Sequence, residues 1–132
     1  MLYGVSAGLP GPPAVNDTTT LGVFVALDIH TSDSTGDLDS AELAATIGHE
    51  LGHYLGLFHT SEYDGSSHDP LRDTAECSGG RDTDRDGEVS GAECGAAAAT
   101  NMMFWTSAEG FTQDQISAEQ SWVLHRNPAI SE

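Results

Sequence analysis

Lysine is absent from the sequence, and arginine alone supplies its fixed positive charge. The chain has 4 basic residues against 21 aspartates and glutamates, which gives a formal net charge of −17 at pH 7. Such a chain repels a phosphate backbone, so we expect no nucleic-acid partner. The excess of carboxylates is explained by a solvated acidic surface, by bound divalent cations or by adaptation to a salty medium. Composition does not choose among the three.

Long apolar runs are missing as well. No uninterrupted run approaches the ~18–20 residues of a transmembrane helix, and we expect no membrane span. A cleavable signal peptide is not predicted either, because the first residues carry no basic segment and Pro10, Pro12 and Pro13 interrupt any apolar region. Hydrophobic residues make up 38% of the 132, enough for one modest core, so residues 1–132 are predicted to form a single domain.

Cysteine occurs only twice. Cys77 and Cys94 enclose the most acidic stretch of the chain, and this arrangement favours a disulfide that closes a loop over a redox pair or a zinc pair. Because disulfides persist in oxidising compartments, the two cysteines favour such a compartment, of which the extracellular space is one.

The N-terminal part of the chain shows few patterns of regular structure. Residues 1–20 are rich in Gly, Pro, Asn and Thr and predict an irregular approach segment, with Leu2 to Ser6 as a candidate strand. The apolar run from Leu21 to Ile29 is bounded by polar residues and predicts a short buried strand. His30, which follows it, is assigned no role.

One helix is specified strongly. Asp39 is a typical N-cap residue, and Glu42 three positions later completes the pattern of a capping box. Apolar residues recur at helical spacing from Leu43 to Leu55, and Gly56 suits the left-handed position that ends a helix. The pattern predicts one helix of roughly four turns.

The C-terminal half is dominated by loop-forming residues. Residues 60–100 contain Gly, Ser, Asp and Pro at a density that predicts a long irregular loop. Residues 101–132 are predicted to contain a closing helix from Thr112 to His125, with Thr112 as its N-cap. Helical spacing places Trp122 in the core, and His125 is assigned no role.

The strongest motif, HELGHYLGLFH, lies at the end of the predicted helix. His49 and His53 are i and i+4, so both project from one helical face and can reach a single metal ion. Gly56 allows the chain to turn back, which brings His59 toward the same ion. Glu50 lies beside the histidines and can accept a proton from a metal-bound water.

Three imidazoles and a water form a tetrahedral site with one exchangeable position, which is typical of catalytic zinc. Zinc is favoured because the ligand set contains no thiolate or carboxylate. The alternative is a helix whose histidines lie in or near a core with their hydrogen bonds satisfied and bind no metal. That alternative requires the spacing of Gly56 and His59 to arise by accident. The motif therefore predicts that His49, His53 and His59 bind zinc.

This segment resembles a known family. HELGHYLGLFH matches the extended zinc signature HExxHxxGxxH of the metzincin metallopeptidases. TNMMFW, downstream, is similar to the methionine turn of the pappalysin-like branch. The resemblance implies that Asn101 begins this turn and that Met103 is its methionine. FTQDQ is similar to the start of the last helix in that branch. Trp105 stands where many metzincins have a tyrosine, so the accessory role of that tyrosine is expected to be absent.

The resemblance implies an α+β fold of the zincin type. The fold would have a reduced N-terminal sheet, a central zinc-binding helix within residues 21–59, a long irregular calcium-binding loop and a C-terminal helix. The implied activity is that of a zinc endopeptidase, in which Glu50 deprotonates the zinc-bound water that attacks a peptide carbonyl. The implied partner is a protein or peptide substrate. A catalytically inactive binding module, stabilised by zinc and calcium, is the alternative.

The acidic stretch contains a second metal pattern. Residues 82–93, DTDRDGEVSGAE, fit the twelve-residue calcium loop D-x-D-x-D-G-x5-E at every specified position, with Gly87 at the sharp bend. The predicted calcium ligands are Asp82, Asp84, Asp86, Glu88, Ser90 and Glu93. A solvated acidic loop with spaced aspartates is the alternative. Asp64, Asp69 and Asp73 have no defined ligand spacing, and we interpret them as surface acids in preference to a second calcium site.

Overall fold

The computed structural model describes residues 3–7, 22–31 and 35–130. Its regular elements are β1 (Gly4–Ser6), β2 (Val23–Val25), α1 (Ser40–Tyr54), α2 (Gly91–Cys94), α3 (Ala96–Ala99) and α4 (Ala118–Arg126). Short 3₁₀ turns lie at Asp28–His30 and Gly79–Arg81. These elements confirm the predicted α+β class, with a small sheet and a long, mostly irregular connection between α1 and α4.

The sheet is formed by β1 and β2, which pair antiparallel and both contact α1. β1 lies where the candidate strand was predicted, inside a segment otherwise expected to be irregular, and residues 8–20 lie outside the described chain. β2 is shorter than predicted: Leu21 is not described, and Asp28–His30 form a 3₁₀ turn instead of continuing the strand.

The prediction of a buried strand is wrong for one face of this sheet. Phe24 on β2 is 59% exposed, and Val5, directly opposite it on β1, is 47% exposed. The apolar run therefore specifies β structure without specifying burial on both faces.

The central helix begins and ends where the sequence predicts. The Asp39 side chain caps α1 by accepting the backbone N–H of Ala41 and Glu42, a contribution of ~1 kcal/mol. The predicted capping box is incomplete, because the N–H of Asp39 donates to the carbonyl of His30 at 2.7 Å. At the other end Gly56 has a φ of 111°, which disfavours any residue with a Cβ.

The face of α1 that packs inward is polar. Its buried residues are Glu50, Gly52 and His53, while Ile47 and Leu51 are 40% and 43% exposed. The helix therefore buries two candidate site residues, Glu50 and His53, while two apolar residues of the predicted pattern, Ile47 and Leu51, remain exposed to solvent. Helical periodicity identified the element, although it did not identify the buried side.

The closing helix begins later than predicted. α4 starts at Ala118, and Thr112 does not cap it. Instead the Ser117 hydroxyl accepts the N–H of Gln120 at 3.0 Å, and the Gln120 side-chain oxygen accepts the N–H of Ser117 at 2.8 Å. This reciprocal pair is a capping box. Trp122, predicted in the core, is 60% exposed.

The chain is divided into two compact units, residues 1–56 with 124–132 and residues 57–123. The second unit has a core of Cys77, Val89, Ala98, Ala99, Phe104 and Ala108. Burial of Phe104 contributes about 1.5–3 kcal/mol to this core. A disulfide joins Cys77 to Cys94 with a Cα–Cα distance of 5.3 Å. In neither unit do the described residues include a helix long and apolar enough for a membrane crossing.

Candidate metal centre

Three histidines converge within the single segment that ends α1 and turns at Gly56. The His49 and His53 rings meet edge to face, with centroids 4.6 Å apart. One ring nitrogen from each of His49, His53 and His59 lies within 4.8 Å of the others. Tetrahedral zinc with Zn–N bonds of ~2.0–2.1 Å places its nitrogens about 3.3 Å apart. The imidazole donor set and this spacing therefore fit one zinc ion.

Glu50 lies between the two helical histidines in sequence and is buried against β1. A Cβ on Gly4 would lie 2.8 Å from Glu50 Cγ, so the strand backbone passes directly beside the side chain. Burial raises the pKa of the Glu50 carboxyl, against the opposing effects of the His53 charge and a hydrogen bond from the Ser6 backbone. A carboxyl with a raised pKa is a stronger base than an ordinary glutamate and is therefore better suited to accepting a proton.

His59 has a carboxylate neighbour to which the sequence analysis gave no role. The Nδ1 atom of His59 lies 3.3 Å from the Oε2 atom of Glu62. The signal available in the sequence was an acidic residue three positions after a ligand histidine. Such partners commonly orient metal-binding imidazoles.

Residues 101–104 form a tight turn. The N–H of Phe104 donates to the Asn101 carbonyl at 3.0 Å, and the Asn101 side-chain oxygen accepts the N–H of Met103 at 2.9 Å. Met103 is fully buried, and its carbonyl accepts the N–H of Thr60 at 3.0 Å. The backbone of the turn is thus bonded to the residue that follows the third histidine.

The acidic loop brings three predicted ligands together. Carboxylate oxygens of Asp82, Asp84 and Asp86 lie within 4.8 Å of one another. The two oxygens of Asp82 accept the N–H of Arg85 at 2.6 Å and of Gly87 at 3.1 Å. Gly87 has a φ of 91°, a conformation that side chains with a Cβ rarely adopt. The loop therefore bends where the calcium pattern places its glycine.

The other predicted calcium ligands make different contacts. Glu93 Oε1 accepts the N–H and the hydroxyl of Thr83 at 2.6 and 2.9 Å, while Oε2 accepts the same groups of Ser90 at 2.9 and 2.8 Å. These hydrogen bonds lower the pKa of Glu93 to about 2. Ser90 in turn caps α2, and Glu88 donates its N–H to Asp86 at 2.9 Å.

Trp105 also contacts this loop. Its indole N–H donates to the carbonyl of Val89 at 2.8 Å, and its ring meets that of Tyr63 edge to face. Because an indole has one donor and no acceptor, the side chain is committed to this structural contact.

The three aspartates considered as a second calcium site have separate roles. Asp64 accepts the N–H of Ser66 within a turn at 2.9 Å. Asp73 accepts the Ser117 hydroxyl at 2.6 Å and so lies at the start of α4. Asp69 is buried, which raises the pKa of its carboxyl, so its interpretation as a surface acid is wrong. No metal-binding group containing these three occurs among residues 3–7, 22–31 and 35–130.

A helix that presents two histidines and a buried glutamate, followed by a glycine turn and a third histidine, is the arrangement typical of the zincin class of metallopeptidases. The sequence profile of the M43 peptidases, described as pregnancy-associated plasma protein-A, matches residues 18–123. The chain therefore belongs to this family, which confirms the resemblance to the pappalysin-like branch of the metzincins. Searches of curated proteins and of solved structures gave no match.

Proposed function

We propose that the protein is a zinc-dependent endopeptidase that hydrolyses protein or peptide chains. The observation that carries the proposal is the convergence of His49, His53 and His59 in a chain of the M43 peptidase family. Glu50, buried on the same helix, is the candidate catalytic group.

The three histidines would hold the ion through one ring nitrogen each. Zinc in such a site supplies Lewis acidity to a peptide carbonyl and lowers the pKa of a water molecule. Glu50 accepts a proton from the attacking water as the water oxygen bonds to the carbonyl carbon, and it returns that proton to the amine as the C–N bond breaks. β1 limits the positions open to Glu50, because Gly4 and Ser6 lie against its side chain.

The test combines metal analysis with peptide hydrolysis in the wild-type protein and in Glu50→Ala. We expect one zinc per chain in both, with hydrolysis reduced about 10²–10⁴-fold in the variant. Glu42→Ala, in the first turn of the same helix, is the matched control and should retain activity. Hydrolysis that persists after zinc is removed would overturn the proposal. Zinc binding without any hydrolysis by the wild-type protein would support the alternative, an inactive binding module.

We also propose that residues 82–93 bind calcium. The proposal is supported by the convergence of Asp82, Asp84 and Asp86 and by the bend at Gly87. Without an ion, these carboxylates repel one another in a chain of net charge −17. Calcium should therefore stabilise the fold, by about 2.7 kcal/mol at a hundredfold excess over its dissociation constant.

The calcium proposal is tested by the dependence of the melting temperature on calcium concentration. Asp84→Asn combined with Glu93→Gln should remove most of the increase and leave zinc stoichiometry unchanged. Asp114→Asn combined with Glu109→Gln makes the same change of charge outside the loop and should retain the increase. Equal calcium sensitivity in the wild type and the loop variant would exclude residues 82–93 as the site.

Two further assignments rest on the family and the disulfide. Met103 is proposed as the methionine of the turn beneath the zinc ligands, supported by its burial and its bond to Thr60. An extracellular location is proposed from the Cys77–Cys94 disulfide and the peptidase family. Detection of the protein outside the cells of its native source, with both cysteines oxidised, is the expected result.

A further inference from the structure

We propose that Glu62 is a positioning residue for the metal centre, holding His59 in the tautomer and orientation that binds zinc. The proposal rests on the zinc site proposed above. Its geometric basis is the 3.3 Å separation of His59 Nδ1 and Glu62 Oε2. An ionised carboxylate only accepts hydrogen bonds, so Nδ1 of a neutral His59 must carry the proton. Nε2 then keeps its lone pair and becomes the metal ligand.

Glu62 is held in place by its own backbone. Its N–H donates to the carbonyl of Ser67 and its carbonyl accepts the N–H of Gly65, both at 2.9 Å. The next residues form a compact turn in which the Asp64 side chain accepts the N–H of Ser66. The Asp64 side chain therefore forms its hydrogen bond within the turn, whereas the Glu62 side chain extends to His59.

The residues on either side of Glu62 are anchored to the disulfide-bonded region. The hydroxyl of Ser61, which is fully buried, accepts the N–H of Cys77 at 2.8 Å. The carbonyl of Tyr63 accepts the N–H of Val89 at 2.7 Å. Because both neighbours are fixed, less conformational entropy is lost when the Glu62 side chain is ordered against the imidazole.

Orientation, more than charge, is the contribution expected from Glu62. The side chain of Glu62 is 46% exposed, so water and salt screen its attraction to a positive ring or ion. A carboxylate partner on a ligand histidine nevertheless changes metal affinity by about 10–100-fold, because it fixes the ring and raises the basicity of the ligand nitrogen.

The experiment measures zinc affinity by competition with a chromophoric chelator. The comparison includes the wild-type protein, Glu62→Ala, Glu62→Gln and the control Glu109→Gln. We expect Glu62→Ala to bind zinc about 10–100-fold more weakly. Glu62→Gln should lose less, because an amide oxygen still accepts the Nδ1–H of His59. Glu109→Gln removes the same charge from an exposed site and should bind as the wild type does.

A second readout is the tautomer of His59, observed through the nitrogen resonances of its ring in the zinc-loaded protein. The wild type should show a protonated Nδ1 and a coordinated Nε2, and the spectral signature of the hydrogen bond from Nδ1–H should be lost in Glu62→Ala. Equal melting temperatures of the metal-free wild type and variant would show that the loss of affinity is not unfolding. If Glu62→Ala does not fold, Glu62→Gln carries the same comparison.

The outcomes separate this inference from the zinc site itself. Unchanged affinity in Glu62→Ala, with normal zinc binding by the wild type, overturns the role of Glu62 alone. Coordination of His59 through Nδ1 also overturns it. A wild-type protein that binds no zinc overturns the proposed function, and the role of Glu62 with it.

Discussion

Asn101 and Gln120 exchange two side-chain hydrogen bonds. Asn101 Nδ2 donates to Gln120 Oε1 at 2.9 Å, and Gln120 Nε2 donates to Asn101 Oδ1 at 3.1 Å. The same two oxygens also accept the N–H groups of Met103 and Ser117. Both residues are buried, so this amide pair fixes the turn that contains Met103 to the first turn of α4.

Gln120→Ala should lower the free energy of unfolding by about 1–3 kcal/mol, because it leaves buried polar groups of Asn101 without partners. Denaturant unfolding followed by circular dichroism measures the change. Gln115→Ala is the control, since the Gln115 side chain is exposed and donates only to Asp114 among the contacts described. Equal stability of the two variants would contradict a structural role for the amide pair.

Gly4→Ala should reduce peptide hydrolysis while leaving zinc bound. The new Cβ would lie 2.8 Å from Glu50 Cγ and 3.1 Å from both Glu50 Oε1 and the carbonyl of Phe24. Displacement of a catalytic group by about 1 Å costs on the order of 10²-fold in rate. Val5→Ala, which shortens an exposed side chain on the same strand, should retain activity. Retained activity in both would show that β1 does not constrain Glu50.

His59→Ala should weaken zinc binding by more than the ~10–100-fold expected from loss of an outer partner, because it removes a ligand. The α1 helix should persist, since its caps at Asp39 and Leu55 do not involve His59. Zinc stoichiometry and far-ultraviolet circular dichroism test the two parts separately. A loss of helicity greater than that of zinc-stripped wild type would place His59 in the support of the helix.

Glu93 should make stability dependent on pH in calcium-free buffer. The pKa of its carboxyl falls from the ordinary 4.5 to about 2 through hydrogen bonds from Ser90 and Thr83. A depressed pKa in the folded state stabilises the fold above about pH 4.5, and this contribution is lost as the pH falls toward 2.

The measurement is the melting temperature of the wild type and of Glu93→Gln across this pH range. The wild type should melt higher at neutral pH, and the difference should shrink as the solution is acidified. Glu109→Gln, in which an exposed glutamate is changed, should show no such convergence. A difference that does not vary with pH would assign the effect of Glu93→Gln to packing instead of to its charge.

The sequence predicted best those features that depend on neighbouring residues. Asp39 and Gly56 mark the ends of α1 because a cap and a positive φ are local requirements. The spacing of the histidines is local too, since i and i+4 positions share one helical face and the turn at Gly56 reverses the chain before His59. The disulfide between Cys77 and Cys94 could be predicted because the chain has two cysteines, for which the alternatives were a redox pair or a zinc pair.

Features set by distant contacts were predicted poorly. The exposure of Phe24 and Trp122 depends on which elements cover them, and helical or strand periodicity carries no such information. Asp73 accepts the N–H of Glu119 in the first turn of α4 across a separation of 46 residues, so its role could not be inferred from its neighbours. The start of α4 was an error of interpretation, because Ser117 and Gln120 carry the spacing of a capping box and Thr112 was preferred.

Because Trp105 donates a hydrogen bond to Val89, the fluorescence of its indole reports on the acidic loop of residues 82–93. Val89 lies within residues 82–93, so rearrangement of that loop changes the surroundings of the indole and with them the wavelength and yield of its emission. Replacing Trp122 by phenylalanine leaves Trp105 as the single tryptophan fluorophore of the chain. The proposed binding of calcium to the loop can then be followed by stopped-flow fluorescence without a dye.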